Sequence, residues 1–251
     1  MVEGKSKTIY VVMPAYNAEK TIERVFSRIP DAARRVISRY VVVNDGSTDG
    51  TQEAMRRLAD SQPGFVHLEH PRNLGYGAAE KTLLLHTLKA GADIAVLLHS
   101  DGQYSPEKIP DLLFPLLNEQ ADLVQGSRML GGGALRGGMP PYKYVANKIL
   151  TAIENMGFGM RMAEFHSGYM VYSRKVLEEI PFHRLSDSFD FDLEMIVAAK
   201  IIGYRIQEID IPTIYADETS YLNPIRYGLD VLRVVFNYRR GAYHKLLGQS
   251  F

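Results

Sequence analysis

Short apolar runs alternate with segments of helical period along the first half of this chain. Ile9 to Met13, Tyr40 to Val43, Val66 to Glu69, Ile94 to Leu98 and Asp122 to Gln125 have strand length and are rich in Val, Ile and Leu. Between them, Ala18 to Arg28 places Ile22, Val25, Phe26 and Ile29 on one helical face. Thr51 to Ala59 and Ala78 to Ala90 repeat that period, the first capped from the polar turn Asn44 to Asp49 and the second ending at Gly91. Pro106 suits the first turn of a further helix. The alternation predicts an α/β fold in which a parallel sheet carries crossover helices on its faces. Such sheets bind ligands outside the carboxyl ends of their strands, where the polar turns of this chain fall.

Beyond Arg128 the pattern changes. Leu130 to Pro141 holds many glycines and ends in two prolines, and it reads as a mobile loop or lid. Tyr144 to Met156 has helical period, Gly168 to Tyr172 reads as a strand, and Ser173 as the cap of a short helix. Phe191 to Ile202 follows as a helix with Phe191, Met195, Ala198 and Ile202 on its core face, and Arg205 to Ile211 as a last strand. Pro224 to Tyr238 is an amphipathic helix with Ile225, Leu229, Leu232 and Phe236 on one side and Arg226, Arg233 and Arg240 at heptad spacing. Two accounts of it stand open. Either the apolar stripe covers the core and Arg226 pairs with Asp230, or the helix rests on an anionic bilayer through residues 222–247.

Composition narrows the classes. With 251 residues, 46% of them hydrophobic, the chain can bury a full core in one large domain. Lys plus Arg equal Asp plus Glu at 29 each, so no overall cationic field points to nucleic acid as a partner. The absence of cysteine removes disulfides, thiolate metal sites and cysteine nucleophiles. Met1 to Thr8 is polar and Pro14 cuts the apolar run after it, so no leader peptide is expected. No stretch approaches the ~18 apolar residues of a membrane span. The expected location is cytoplasmic, with at most a peripheral attachment to the inner face of the membrane.

The richest chemistry lies in His99-Ser100-Asp101-Gly102-Gln103, which continues an apolar run. Alternation along an extended segment would point His99, Asp101 and Gln103 to one side, one nitrogen and two oxygen donors for a divalent cation and its phosphates. Asp45 and Glu19 follow two successive strands. Asp45 can accept the imide or amino hydrogens of uracil or guanine, and the plain alternatives are a helix cap for Asp45 and first-turn charge for Glu19. Gly75-Tyr76-Gly77 is no dinucleotide fingerprint, since Glu80 stands at the third glycine position.

Read in order, Val12-Met13-Pro14-Ala15-Tyr16-Asn17-Ala18-Glu19 and Val42-Val43-Asn44-Asp45-Gly46-Ser47-Thr48-Asp49 resemble the opening of the family-2 glycosyltransferases. Asn73-Leu74-Gly75-Tyr76-Gly77-Ala78-Ala79 resembles their glycine loop and Asp101-Gly102-Gln103-Tyr104-Ser105-Pro106-Glu107 their metal motif. Gly126-Ser127-Arg128 and Ser167-Gly168-Tyr169 follow in order, so the likeness spans residues 8–220, nearest the dolichyl- or polyprenyl-phosphate mannose and glucose synthases. It implies the GT-A nucleotide-sugar fold, a mostly parallel central sheet flanked by helices, over residues 1–221. Residues 1–128 would form the nucleotide-binding half, 129–221 the acceptor half and 222–251 a C-terminal amphipathic helical extension. Pro14, Ala15, Tyr16, Glu19 and Asp45 would embrace the base and ribose, with Gly75, Gly77, Ser100 and Asp101 also on the nucleotide.

The implied reaction is metal-dependent transfer, with inversion, of a sugar from a UDP- or GDP-linked donor to a polyprenyl phosphate. Asp101 with His99 and Gln103 would hold Mn²⁺ or Mg²⁺, and Arg128, or Arg136 from the glycine-rich loop, would add positive charge at the departing pyrophosphate. A glycan or small-molecule hydroxyl acceptor would need a base, for which Asp192 is the candidate, with Asp190 and Glu194 nearby; a phosphate acceptor needs none. His166 stands where the resemblance places acceptor-side contacts. The chain departs from the family pattern at three places: His99 replaces the first aspartate of the metal motif, Met170 a common arginine, and Asp217-Glu218-Thr219-Ser220 a basic segment. Neutral imidazole favours manganese over magnesium. The departure also leaves open a non-catalytic nucleotide-sugar-binding protein. A sugar nucleotidyltransferase would need a glycine-rich triphosphate loop after the first strand, and Pro14-Ala15-Tyr16-Asn17 is not one.

Overall fold

The computed structural model describes residues 7–213 and 223–250. The apolar runs become β1 (Ile9–Ala15), β2 (Ile37–Asn44), β3 (Phe65–Glu69), β4 (Ile94–Leu97), β5 (Leu123–Ser127), β6 (Met170–Ser173) and β7 (Ile206–Asp210), joined in one sheet of order β3-β2-β1-β4-β6-β5-β7. Neighbours are parallel except where β6 runs antiparallel between β4 and β5. The connecting helices are α1 (Ile22–Ser27), α2 (Asp31–Arg34), α3 (Thr51–Ser61), α4 (Tyr76–Lys89), α5 (Ile109–Leu117), α6 (Gly133–Arg136), α7 (Pro141–Phe158), α8 (Arg174–Glu179), α9 (Phe191–Ile202), α10 (Pro224–Arg239) and α11 (Ala242–Leu246).

Strand alternation divides the interior into two cores. Val11, Met13, Val42, Val96, Val124 and Val171 face the layer that includes α1, α3 and α5. Val12, Val41, Val43, Leu97, Met170 and Tyr172 face α4, α8 and α9. Asp49 caps α3 through Oδ1, 3.0 Å from the Thr51 amide. β2 begins at Ile37, earlier than its apolar run suggests. Ser173 does stand at the start of α8, but its hydroxyl makes no capping bond.

The glycine-rich stretch corrects the expectation of a wholly irregular loop. It contains the single turn α6, with Met129, Ala134 and Met139 buried together. A Cβ at Gly137 would come within 1.8 Å of the Thr213 carbonyl oxygen, so glycine is required there by close backbone packing.

The C-terminal helix departs from one of the two accounts left open by its sequence. Val231 and Val234 are buried, with Tyr227, Val235 and Tyr238 packed beside them, whereas Ile225, Leu229, Leu232 and Phe236 all face solvent, Ile225 being 78% exposed. The core-covering account of that stripe is therefore corrected. Asp230 pairs with Arg233 at 3.1 Å, in place of the predicted Arg226. Arg233 also reaches the buried Asp190 at 3.0 Å, and Tyr243 on α11 donates to Glu194 at 2.6 Å, so α10 and α11 are fastened to α9 by carboxylates considered above as bases. Among the described residues no helix is long and apolar enough to cross a membrane.

At the far edge, Asp122 joins β5 to β7. Its carboxylate accepts from Arg205 Nη2 at 2.9 Å and Lys175 Nζ at 2.5 Å. Burial opposes ionisation, but the Arg205 and Lys175 bonds outweigh it and hold the carboxyl well below its ordinary range. A depressed folded-state pKa contributes stability that is complete above the unfolded value of about 4 and is lost as the pH falls through the folded one. Asp122→Asn should cost about 1–3 kcal/mol at neutral pH and flatten the acid limb of a urea-denaturation series between pH 7 and 3. An unchanged acid limb would refute this role.

Candidate active site

β1 lies between β2 and β4, so the chain winds outward to β3 and then returns to the opposite side of its first strand. The carboxyl ends of β1 and β4 therefore border the crevice at which sheets of this kind bind ligands. The structure brings Pro14, Ala15, Tyr16, Ser100 and Asp101 to that rim. Ser100 Oγ donates to the Pro14 carbonyl at 2.8 Å, and the Asp45 amide to the Ala15 carbonyl at 2.8 Å. The turn after β1 is laced to the turn after β2 by Asn17 N to Ser47 Oγ and Thr48 N to Asn17 Oδ1, both 3.0 Å. Three consecutive strand ends thus form one polar rim.

Within it, several side chains expected on a nucleotide are committed to the protein. Asp45 is 3% exposed. Its Oδ1 accepts from His70 Nδ1 at 2.7 Å and the Leu74 amide at 2.9 Å, and its Oδ2 from the Gly75 amide at 3.1 Å. Three protein donors thus occupy most of the carboxylate's acceptor sites, and Asp45 holds the glycine loop in place. Glu19 accepts from the Gly50 amide at 3.2 Å and so serves the entry to α3. Gly75 and Gly77 allow a close approach within the protein as well. Their missing side chains admit the Asp187 and Ser186 carbonyls, which a Cβ would meet at 2.9 and 2.6 Å, so their close neighbour is residues 186–188.

The metal set changes most. β4 ends at Leu97, residues 100–101 turn, and Gly102 has φ +80°, so alternation does not run on to Gln103. Asp101 Oδ1 accepts from the Gln103 amide at 2.9 Å, an Asx-type turn that keeps both side chains at the rim. His99 turns inward, its Nε2 3.0 Å from the Tyr76 hydroxyl and its ring packed edge-on against Tyr76 and Tyr104. Burial lowers its pKa, so the imidazole is neutral. Among the described residues no three His, Cys, Asp or Glu side chains are grouped to hold a metal ion. Of the expected His99-Asp101-Gln103 set, His99 is engaged inside the protein by Tyr76. What remains at the turn is a carboxylate and an amide, hard oxygen donors that suit Mg²⁺ or Mn²⁺ shared with the oxygens of a bound diphosphate.

Arg128 and Asp192 are likewise drawn inside. The Arg128 guanidinium, 9% exposed, binds the fully buried Glu164 carboxylate and donates to the His166 carbonyl at 2.6 Å. Burial opposes ionisation of Glu164, but Arg128 more than offsets it and keeps the carboxyl below its ordinary range. Arg128 therefore anchors the end of β5, and its expected charge on a pyrophosphate is largely spent. Arg136 folds back onto the Gly131 carbonyl at 2.6 Å. Asp192 is 5% exposed, with Oδ2 2.6 Å from the Tyr76 hydroxyl and Oδ1 3.3 Å from that of Tyr172. Met170 is buried at the start of β6, opposite Leu97, and Asp217 to Ser220 lie outside the described residues.

Sequence reasoning missed His70, Tyr76, Glu80 and Tyr172. The clue for Glu80 was present: on a helix it shares the inward stripe of Leu83 and Leu84, an unusual place for a carboxylate. His166 was singled out, and it joins α7 to α10, 3.0 Å from Glu154 Oε2 and 2.9 Å from the Tyr227 hydroxyl.

Comparison with known proteins agrees with this architecture. The family model described as Glycosyl transferase family 2 matches residues 10–181. A UDP-N-acetylglucosamine–dolichyl-phosphate N-acetylglucosaminyltransferase of Methanococcus voltae is 29% identical over 223 residues, 84% of this chain and 87% of its own. A polyprenol monophosphomannose synthase of Mycolicibacterium smegmatis is 30% identical over 203 residues, 80% of this chain and 75% of its own. Glucosyl-3-phosphoglycerate synthase of Mycobacterium tuberculosis, solved with UDP, superposes with a TM-score of 0.67 at 23% identity over 98% of this chain and 82% of its own. That enzyme has also been solved with Mn²⁺ and UDP-glucose. With two-thirds of its length under one family model and the doubly wound sheet behind it, this chain belongs to glycosyl transferase family 2 and is a glycosyltransferase of the GT-A fold.

Proposed function

We propose that this enzyme transfers a sugar, with inversion, from a UDP- or GDP-linked donor to a polyprenyl phosphate held in an anionic membrane. The relatives named for dolichyl-phosphate and polyprenol transfer support the acceptor class. The observation that carries it lies on α7 and α10, which pack side by side. On α7 the inward face is partly polar, with Asn147, Thr151 and the fully buried Glu154, while Tyr142, Val145, Ile149 and Met156 face solvent. On α10 the exposed stripe is Ile225, Leu229, Leu232 and Phe236. Each helix thus turns a large apolar stripe outward, the reverse of a helix resting on a water-soluble core. The exposed charges of the two helices are cationic: Lys143 and Lys148 on α7, Arg226 and Arg239 on α10, with Arg233 engaged by Asp190 and Asp230. The two carboxylates in these helices, Glu154 and Asp230, are buried or paired. In a chain with no net charge, these two neighbouring helices each combine exposed apolar side chains with exposed lysine or arginine, the combination that suits an anionic bilayer.

At the cleft, the nucleotide would lie along Pro14, Ala15 and Tyr16, with Ser100, Gly75, Gly77, Asp45 and Glu19 shaping the rim. Asp101 and Gln103 would hold Mn²⁺ or Mg²⁺, which when bound supplies charge neutralisation for the leaving diphosphate. A phosphate acceptor is already ionised and needs no base, consistent with Asp192 lying inside the protein.

Two measurements test this reading. Purified enzyme with Mn²⁺ should move labelled sugar from UDP- or GDP-sugars onto a polyprenyl phosphate in phosphatidylglycerol vesicles, with an inverted anomeric product. Asp101→Asn should lower that rate on the order of 10²-fold with Tm unchanged. Transfer only to free sugar hydroxyls, or none to lipid, would overturn the acceptor. In co-sedimentation, Ile149→Glu with Phe236→Glu should cut binding to anionic vesicles at least ~10-fold, because each removes about 1.5–3 kcal/mol of apolar burial. Undiminished binding, or a dimer in solution that buries this face without any vesicle binding, would exclude the membrane.

A further inference from the structure

Behind the rim lies a buried polar cluster that the transfer reaction does not use. Glu80 on α4 is wholly buried, and neither carboxylate oxygen receives a hydrogen bond of normal length; His99 Nε2 stands 3.9 Å from Oε1. Asp192 on α9 is held by the Tyr76 and Tyr172 hydroxyls at 2.6 and 3.3 Å. Tyr76 touches both His99 and Asp192 through one oxygen. Burial raises the pKa of Glu80 well above its ordinary value, and the Asp192 carboxylate raises it further; burial raises Asp192 to about 6, against hydrogen bonding from Tyr76, Glu80 and Tyr172 that favours its charge. The pair therefore carries its proton on Glu80 and its charge on Asp192, and among the described residues no arginine or lysine hydrogen-bonds to either.

His99 is the only nitrogen base in contact with that group among the described residues. It stands where the metal motif of the family carries an aspartate. An aspartate there would be a third carboxyl beside Glu80 and Asp192, in a space closed by Tyr104 and Gly168. A Cβ on Gly168 would come within 2.2 Å of the Tyr76 hydroxyl and 2.8 Å of the His99 ring. The imidazole can instead donate to Tyr76 while Tyr76 donates to Asp192, which satisfies all three groups without a further charge.

We infer that His99 is a positioning residue: Tyr76, Glu80 and Asp192 hold its ring, and these buried carboxyls, rather than the cation, require a histidine at the first position of the motif. Two residues on, Asp101 takes its place at the rim because the chain is pinned at His99 by Tyr76 and at Ser100 by the Pro14 carbonyl. The consequence for the cation depends on the proposed function above; the coupling among the four side chains does not.

The test is a mutant cycle read by thermal unfolding, together with Mn²⁺ binding measured by electron paramagnetic resonance in the presence of UDP. His99→Asp should lower Tm by about 5 °C or more. Adding Glu80→Gln and Asp192→Asn should restore most of that loss, although neither substitution stabilises the wild-type chain. His99→Gln, whose amide can still donate to Tyr76, should leave the Mn²⁺ Kd within about twofold, since no metal bond is lost. A Tm of His99→Asp equal to that of wild type, or no recovery in the triple variant, would overturn the inference. So would a weakening of Mn²⁺ binding by tenfold or more in His99→Gln, which would return His99 to the metal. Failure of wild-type enzyme to bind UDP with Mn²⁺ would instead strike the proposed function and leave the Tm coupling intact.

Discussion

A carboxylate taken out of water must be paired, hydrogen-bonded or protonated, and that requirement organises the end of the sheet where this enzyme opens. Asp45 meets it with two loop amides and His70. Glu164 meets it with Arg128 and the Arg128 amide. Asp190 takes Arg233, and Glu194 takes Tyr243 and the Ser186 amide. Each arrangement ties a loop or a helix end to a strand end. The acids beneath the polar rim are already engaged by the protein, and the groups left at its surface, Asp101 and Gln103 foremost, project from that hydrogen-bonded base.

The same requirement explains which parts of the site were legible in sequence. Order along the chain located the rim: strand ends after Met13, Val43 and Leu98 do converge, since the direction of winding reverses between β1 and β4. The occupation of individual side chains was not legible. Asp45, Glu19 and Arg128 are polar residues at strand ends, and nothing local tells a group that faces a ligand from one that supports the loop doing so. His99 was misplaced by a shorter error, extension of the strand period past Leu97 into a turn that Gly102 closes with positive φ.

For the fold, the strands and the long helices were legible because their periods are strong. The antiparallel course of β6 was not, because a strand placed between β4 and β5 has the same buried pattern in either direction. The C-terminal helix was half legible. Its amphipathicity showed in the sequence, but which stripe faced inward depended on α7, whose own inward side carries Asn147 and Glu154. Burying Glu154 beside His166, with Tyr227 of α10 on the other ring nitrogen, joins the two helices through a polar contact and leaves both apolar stripes outside.

That arrangement bears on the chemistry of the acceptor. A cleft serving a hydroxyl needs an accessible base near the sugar, and the acids of α9 are all enclosed: Asp190 under Arg233, Asp192 behind Tyr76, Glu194 under Tyr243. An anionic phosphate carries its own nucleophilic oxygen and asks only for positioning. Under the proposed function, a lipid that bears such a phosphate also needs a surface to present it, for which the outward faces of α7 and α10 would serve; both helices follow the Asp101 turn in the chain. Enclosed acids and exposed apolar helices are independent features of the fold, and both are what a charged acceptor arriving from a membrane would require.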